Sequence, residues 1–545
     1  MTDQIESYKL VCSGGLNSNE NHLDLSDNLP GSATRLVNYE PSLYGGYRRI
    51  EGYDLYDADF GEVGVGQAEG KVLGVAFYRN EHLGNPHVIA ARKDIGTDTY
   101  SFWKHTPLVG WSKMVTGLTL ATTDGVRTVK KVRHAQYDFG QGSQIIFVDG
   151  VNNAVIFDGT AWYSLDSANT GGSASPGGDQ IVDAPSLVDV FENHIFLSGD
   201  RTAQSVVCHS APNDPLTFTV AAGAGQVTTG FKVVQIKPFR DNLFVFGSNS
   251  IKKVVADLSS GFVLDQVTAN VGCVAPDSVL EIGGDLLFLA PDGFRPVAGT
   301  SRIGDVELET VSKPIQGALV DVIQNYDMDT LNGVVIRKKS QVRYFFGDDQ
   351  VASASSEGVL GGLVERQGNI AWEFSSLLGI RASCSTSEYI GREEYILHGD
   401  YDGKVYRQEQ GTSFAGDDIV AIYATPYIDF GDTEIRKVMR KVNTFIRAEG
   451  PLEMNLSISY DWGDYNTSRP SAYSATSTGG PTVFGGDSIT YAGADVLYGG
   501  NSKPIMTTDI QGSGFSIRAT FVTVGQFEPY SIQGIVFEYS VSGRR

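Results

Sequence analysis

Cysteine is scarce in this chain of 545 residues: Cys12, Cys208, Cys273 and Cys384 are its four, far apart in sequence. Such spacing offers neither a disulfide framework nor a zinc knuckle, and it fits a protein made in a reducing cytoplasm. Histidine is scarce as well. Of the eight at 22, 82, 87, 105, 134, 194, 209 and 398, only His82 and His87 approach metal-ligand spacing, in a Gly/Pro loop where solvated rings are the simpler reading. Basic side chains are outnumbered 42 to 64, for a formal charge of −22. That excess argues against a surface that grips nucleic acid by its phosphates, though not against a passage through which DNA slides. No apolar run approaches the roughly 20 residues that span a bilayer. The start, Met1-Thr2-Asp3-Gln4-Ile5-Glu6, lacks the basic and apolar regions of an export signal, so neither membrane insertion nor secretion is expected.

Catalytic signatures are missing too. The chain has no His-Glu-x-x-His, no Gly-x-Ser-x-Gly elbow and no phosphate-binding Gly-x-x-x-x-Gly-Lys-Ser/Thr loop. Gly64-Val65-Gly66-Gln67-Ala68-Glu69-Gly70 misses the dinucleotide spacing by one and leads into a strand. Asp400-Tyr401-Asp402-Gly403 has two carboxylates and a glycine but no distal glutamate, so a hairpin turn is expected there over a calcium loop. The Ser-x-Asp-x-Gly-x-Thr-Trp turns of sialidase-like propellers do not occur. No enzyme activity, catalytic residue, metal or cofactor is expected.

What the chain has is glycine (64 residues), tyrosine and phenylalanine (25 and 27) and 41% hydrophobic residues with only 19% charged. This composition favours many short strands joined by tight turns, and the length calls for more than one domain. Apolar runs recur in pairs about turns. Ile145–Val148 leads through Asp149-Gly150 to Ala154–Phe157; Leu286–Leu289 leads through Asp292-Gly293 to Pro296; Tyr395–Leu397 leads through Asp402-Gly403 to Val405 and Tyr406. Strand centres fall near Ile89, Ile146, Phe196, Val245, Phe288, Phe345 and Ile396, at gaps of 57, 50, 49, 43, 57 and 51 residues. A period of about 40–50 residues with three or four strands per unit predicts an all-β fold with a β-propeller of about six to eight blades. An irregular array of sandwiches is the alternative, since no propeller repeat motif accompanies the period. After Pro314, the spacing of Ile315, Leu319, Val322 and Ile323 predicts a short helix between blades.

The texture changes near Asp417. Leu452, Met454, Leu456, Ile458 and Tyr460 alternate with polar residues; so do Phe515, Ile517, Ala519 and Phe521, and Ile535, Phe537, Tyr539 and Val541. These strands predict a C-terminal antiparallel β-sandwich. The expected layout is an N-terminal arm and entry strand over 1–60, the propeller over 61–415 and the sandwich over 416–545. Within the sandwich, residues 463–514 form a Gly/Tyr-rich loop carrying Tyr465, Tyr473, Phe484, Tyr491 and Tyr498, read equally as a contact surface or as an extension without fixed structure. Residues 416–545 hold 14 acidic and 10 basic side chains, which leaves −18 of the formal charge on residues 1–415. One basic stretch, Arg436, Lys437, Arg440, Lys441 and Arg447, is a candidate interface for an acidic partner or a neighbouring subunit, or else simply the wet face of strands beside Glu434 and Glu449.

The N-terminal segment reads Gly14-Gly15-Leu16-Asn17, Leu29-Pro30-Gly31-Ser32-Ala33, Leu36-Val37-Asn38-Tyr39-Glu40-Pro41 and Gly45-Gly46-Tyr47-Arg48-Arg49-Ile50-Glu51-Gly52-Tyr53. This resembles the opening of phage tail structural proteins. Together with Phe239–Ser248, Val271–Pro276 and the closing β domain, the layout resembles the tail hub or nozzle protein of short-tailed bacteriophages, the packaged-DNA stabilisation type. The resemblance implies a virion tail component made in the host bacterial cytoplasm. It implies a homohexameric ring below the portal and the tail adaptor, working with tail fibres or a needle. Double-stranded DNA would pass through the ring without sequence-specific binding and be retained until ejection. It implies no catalytic residues. Arg48 and Arg49 are expected to pair with acidic neighbours across the entry strand. The competing classes are a carbohydrate- or receptor-binding propeller of the tail, which Trp103, Trp111, Trp162, Trp372 and Trp462 do not favour by their scatter, and a periplasmic propeller enzyme, which lacks its export signal and cofactor motifs.

Overall fold

In the computed structural model, the described residues are 5–57, 70–80, 86–165, 183–257, 261–297, 310–347, 356–366, 368–464, 467, 469–477 and 504–544. The seven apolar centres each lie on the second strand of a separate antiparallel blade. Those strands are His87–Lys93, Ser143–Val148, His194–Ser198, Asn242–Gly247, Asp285–Ala290, Gln341–Phe345 and Glu393–Gly399. Each pairs with an inner strand: Val72–Tyr78, Arg133–Asp138, Leu187–Phe191, Val233–Phe239, Leu280–Ile282, Asn332–Ile336 and Cys384–Ile390. Neighbouring inner strands contact one another around a closed ring, bridged between the fourth and fifth blades by the short helical turn Pro276–Ser278. Seven apolar clusters fill the seven gaps between successive blades. A β-propeller is therefore the architecture of the first part of the chain.

Turn chemistry explains the hairpins. Glu192 and Asn193 both take positive φ, 47° and 59°, between Leu187–Phe191 and His194–Ser198. A two-residue connection of twisted strands requires that combination. The helix foreseen after Pro314 spans Gln316–Asn325, between the fifth and sixth blades, with Ile315 and Leu319 buried beneath it. Asn19 of the arm reaches it, accepting from Gly317 N at 3.1 Å and donating to Lys313 O at 2.7 Å.

The arm joins three sheets. Tyr53–Leu55 pairs with Val405–Gln408 and supplies the outer strand of the seventh blade, so residues that precede the first blade close the ring. Arg35–Val37 lies between Asn369–Leu378, parallel to it, and Ile419–Ala424. The sixth blade thereby continues into the C-terminal domain as one nine-stranded sheet, through Ile517–Gly525, Leu452–Tyr460 and Tyr473–Ser477. Opposite it stands a seven-stranded sheet in which Tyr47–Arg49, Ile5–Val11 and Ile435–Ala448 all pair with Tyr530–Arg544. The two sheets enclose one core. Leu452, Met454, Leu456, Ile458 and Tyr460 are all buried and pack with Ile517, Ala519 and Phe521 against Met439, Val442, Ile535 and Phe537. The sandwich alternation is as expected except at Phe515, which precedes its strand and is only half-buried, and at Val541, which is 42% exposed near the end of its strand.

The Gly-Gly-Tyr-Arg-Arg-Ile-Glu-Gly-Tyr segment is the suture of the arm. A Cβ on Gly46, whose φ is +82°, would stand 2.0 Å from Ile532 O, and one on Gly52 would stand 1.9 Å from Ser413 O. Only glycine fits either approach. Tyr47 donates to Gly31 O at 2.9 Å and accepts from Gly15 N at 3.0 Å. Arg48 pairs with Glu40, Glu51 and Glu449 at 2.8–2.9 Å, as expected. Arg49 does not. It is fully buried and donates to the main-chain carbonyls of Phe527, Thr412 and Gly525. Irregular backbone at this junction leaves carbonyls that strand pairing does not satisfy, and the guanidinium supplies their donors. Part of the Gly/Tyr-rich segment is strand: Tyr473–Ser477 pairs with Leu452–Leu456, and Ile505–Asp509 with Lys441–Phe445. Tyr465, Phe484, Tyr491 and Tyr498 lie outside the described residues, as do His82 and Gly64–Glu69.

Candidate functional site at the propeller axis

The five residues of the basic stretch share the strand Ile435–Ala448 but not one surface. Arg436, Arg440, Lys441 and Arg447 are exposed. Arg447 lies over the Tyr44 ring at 3.7 Å, Arg436 donates to Ser513 Oγ at 3.0 Å, Arg440 to Ser540 Oγ at 3.3 Å, and Lys441 faces Asp509 at 3.6 Å. Lys437 is 2% exposed and donates to the carbonyls of Asp432 and Phe515, and burial lowers its pKa. Strand alternation turns it inward, so it is not available to a docking partner.

Among the described residues, no group of three or more His, Cys, Asp or Glu side chains converges as a metal site. Nor is any helix among them long and apolar enough to cross a membrane. Asp400 accepts from the main-chain N–H groups of Asp402 and Lys404 at 2.9 and 2.8 Å, which makes its segment a hairpin turn; burial lifts its carboxyl to about 6.

The inner strands of all seven blades line an axial cavity of about 190 Å³. Charged side chains occupy it in pairs. Asp277 binds Arg133 through two bonds of 2.9 Å and Lys131 through one of 3.1 Å, while Lys237 pairs with Asp189 at 3.0 Å. Burial alone would raise the Asp277 carboxyl, but Arg133 and Lys131 overcome it and hold the group well below its ordinary range. Lys131 is the enclosed member of the group. Burial brings its pKa down to about 8, opposed by Asp277, and it also donates to Leu331 O. His134, beside them, is lowered to about 4 by burial and by Lys237.

A second cavity, of about 600 Å³, opens where the inner strands of the second to fifth blades begin. Arg127, Lys130, Lys131, Arg133 and Lys232 line it, with Asp149 and Asp329 as the carboxylates of its wall. Arg127 reaches three main-chain oxygens, of Gly150, Gly199 and Asp200, at 3.3–3.4 Å. Lys130 is paired with Asp327 and Asp329. Asp149 is engaged by Tyr100 Oη at 2.7 Å and by the Val151 and Asn152 amides. Four of the cations fall within the run from Arg127 to Arg133, a density that was open to notice in so acidic a chain. Nothing in the sequence announces that Lys232, on another blade, shares their cavity.

The sequence matches no protein-family model and no curated protein. Among solved structures, chains from crystal structures of BBS1N in complex with ARL6DN are similar. In the one soaked with mercury, the TM-score is 0.36 at 9% identity, covering 66% of this chain and 97% of that one. In the one soaked with lead, the TM-score is 0.38 at 10% identity, covering 67% of this chain and 99% of that one.

Proposed function

We propose that this protein is a structural component of a phage tail, a hub or nozzle whose copies form a ring that conducts genomic DNA and helps to retain it until ejection. The observation that carries the reading is the role of the N-terminal segment. The residues that resemble the tail family are those that tie propeller and sandwich into one block, and a tail joint under internal pressure needs such a block more than it needs a reactive site. The axial cavity of one propeller has no room for a duplex, and ion pairs fill it. In this reading, DNA therefore passes between copies, along an acidic face set by a net charge of −22 per chain.

A receptor-binding tail role is the second reading, and one surface favours it. Trp462 is 51% exposed and takes a φ of 61°. Its ring stacks on Tyr427 at 5.1 Å and meets His22 at 4.9 Å. Tyr427, 7% exposed, backs the indole and His22 meets it edge-on, so Trp462 presents an aromatic surface of the sort sugars lie against, held by strained backbone. Immunogold electron microscopy with antibody to this chain tests both. Gold confined to the distal tail axis supports the hub, gold on peripheral fibres supports receptor binding, and unlabelled particles overturn the structural reading.

A further inference from the structure

In a chain of charge −22, five cations around one cavity call for an explanation of their own. Three are already held by carboxylates: Lys131 and Arg133 by Asp277, and Lys130 by Asp327 and Asp329. The other two are not. Among the described residues, no carboxylate lies within ion-pair distance of Arg127 or Lys232. Arg127 makes only long bonds to backbone oxygens, with its guanidinium at the wall. Both wall carboxylates are in turn engaged, Asp149 within its own turn and by Tyr100, and Asp329 by Lys130.

Volume and lining narrow the occupant. About 600 Å³ is within the range of small-molecule sites and larger than one inorganic anion needs. Thr128, Ser186, Gln204 and Ser248 supply neutral hydrogen-bonding groups, while no aromatic side chain is present among the lining residues to stack on a base or a sugar ring. Recognition there is therefore ionic, and a guanidinium at one wall with an ammonium at another suits phosphoryl oxygens.

We infer that the cavity at the mouth of the propeller is a binding site for a small ligand bearing two or more phosphate groups, with Arg127 and Lys232 as its anion-binding residues. This inference is independent of the tail reading and stands or falls without it.

Pyrophosphate is the probe. Calorimetric titration of the full chain at low ionic strength is expected to give saturable binding near one per chain, weakening as salt rises. Lys232→Gln alters an exposed residue and leaves the fold intact; it is expected to weaken binding about tenfold, the loss of one charge-assisted bond. Arg127→Gln is expected to weaken it at least as much, with melting followed in parallel because Arg127 also ties three turns together. Lys93→Gln, an exposed cation on the first blade, is expected to change nothing. The inference is overturned if pyrophosphate does not bind, if Lys232→Gln binds as tightly as the parent, or if an acidic peptide occupies the site and pyrophosphate does not.

Discussion

Arg343 is 1% exposed and lies between Glu409, also 1% exposed, and Glu40, 3.5 Å away. Lys339 reaches both carboxylates and Arg48 reaches Glu40, so sixth blade, seventh blade, arm and sandwich meet in one buried ionic cluster. Removing one partner strands charge in a dry site. Arg343→Leu is therefore expected to lower stability by about 3–5 kcal/mol, read from the urea midpoint. The pH dependence follows from the same residues. Burial raises the Glu409 carboxyl, but Arg343 and Lys339 overcome it and hold the group far below its ordinary 4.5. The folded state then binds fewer protons than the unfolded one. Its contribution is fully present above 4.5 and is lost as pH falls below it. Histidines act earlier. Burial lowers His134 and His209 to about 4 and His398 to about 3, so the unfolded chain takes up protons that the folded chain refuses from about pH 6.5 downward. Melting temperature is expected to decline in two stages, from about pH 6.5 and again below about 4.5; Arg343→Leu should flatten chiefly the second stage, and slightly the first because Arg343 also helps to hold His398 down.

The seven apolar centres were legible because each is a run of buried residues on the second strand of a blade, with neighbours on both faces, as in Leu286–Ala290. The arm was not. Arg35–Val37, Tyr39–Pro41, Tyr47–Arg49 and Tyr53–Leu55 are three residues each, too short for periodicity to register, and partners such as Ser376 for Val37 lie far away in the chain. Glycine marked the arm instead. Gly52→Ala places a Cβ against the Ser413 backbone, which no rotamer change relieves. Overpacking of this kind is expected to cost about 2 kcal/mol or more. It should also strip hydrogen-exchange protection from Tyr406–Gln408, the strand that Tyr53–Leu55 covers. At the candidate site, the run from Arg127 to Arg133 stood in the sequence, but its fifth cation came from another blade. Conversely, the run from Arg436 to Arg447 looked like a single patch, and strand alternation divided it.

At the scale of the molecule, propeller and sandwich share a sheet, and the boundary expected near residue 416 falls between strands of that sheet. Residues 416–545 expressed alone would expose the edge of Ile419–Ala424 that Arg35–Val37 covers and would lack the strands Ile5–Val11 and Tyr47–Arg49. That fragment is expected to aggregate, and co-expression with residues 1–415 to restore solubility, measured by the soluble fraction and by circular dichroism. Copies of a chain at −22 also repel one another. Any ring they form is expected to gain population as salt rises at neutral pH, measured by sedimentation velocity.

The pairing of Ile5–Val11 with Gly534–Ser540 sets a timetable for synthesis. The two strands are about 530 residues apart in the chain, and at about 5–20 residues per second the wait between them is roughly half a minute to two minutes. For most of that interval Arg48 has Glu40 and Glu51 but not Glu449, and Arg49 lacks the carbonyls of Gly525 and Phe527, while the blades are completed before Tyr530–Arg544 can dock. Nascent chains arrested short of residue 530 would hold a ring closed by Tyr53–Leu55, with the sandwich behind it still missing its central strand.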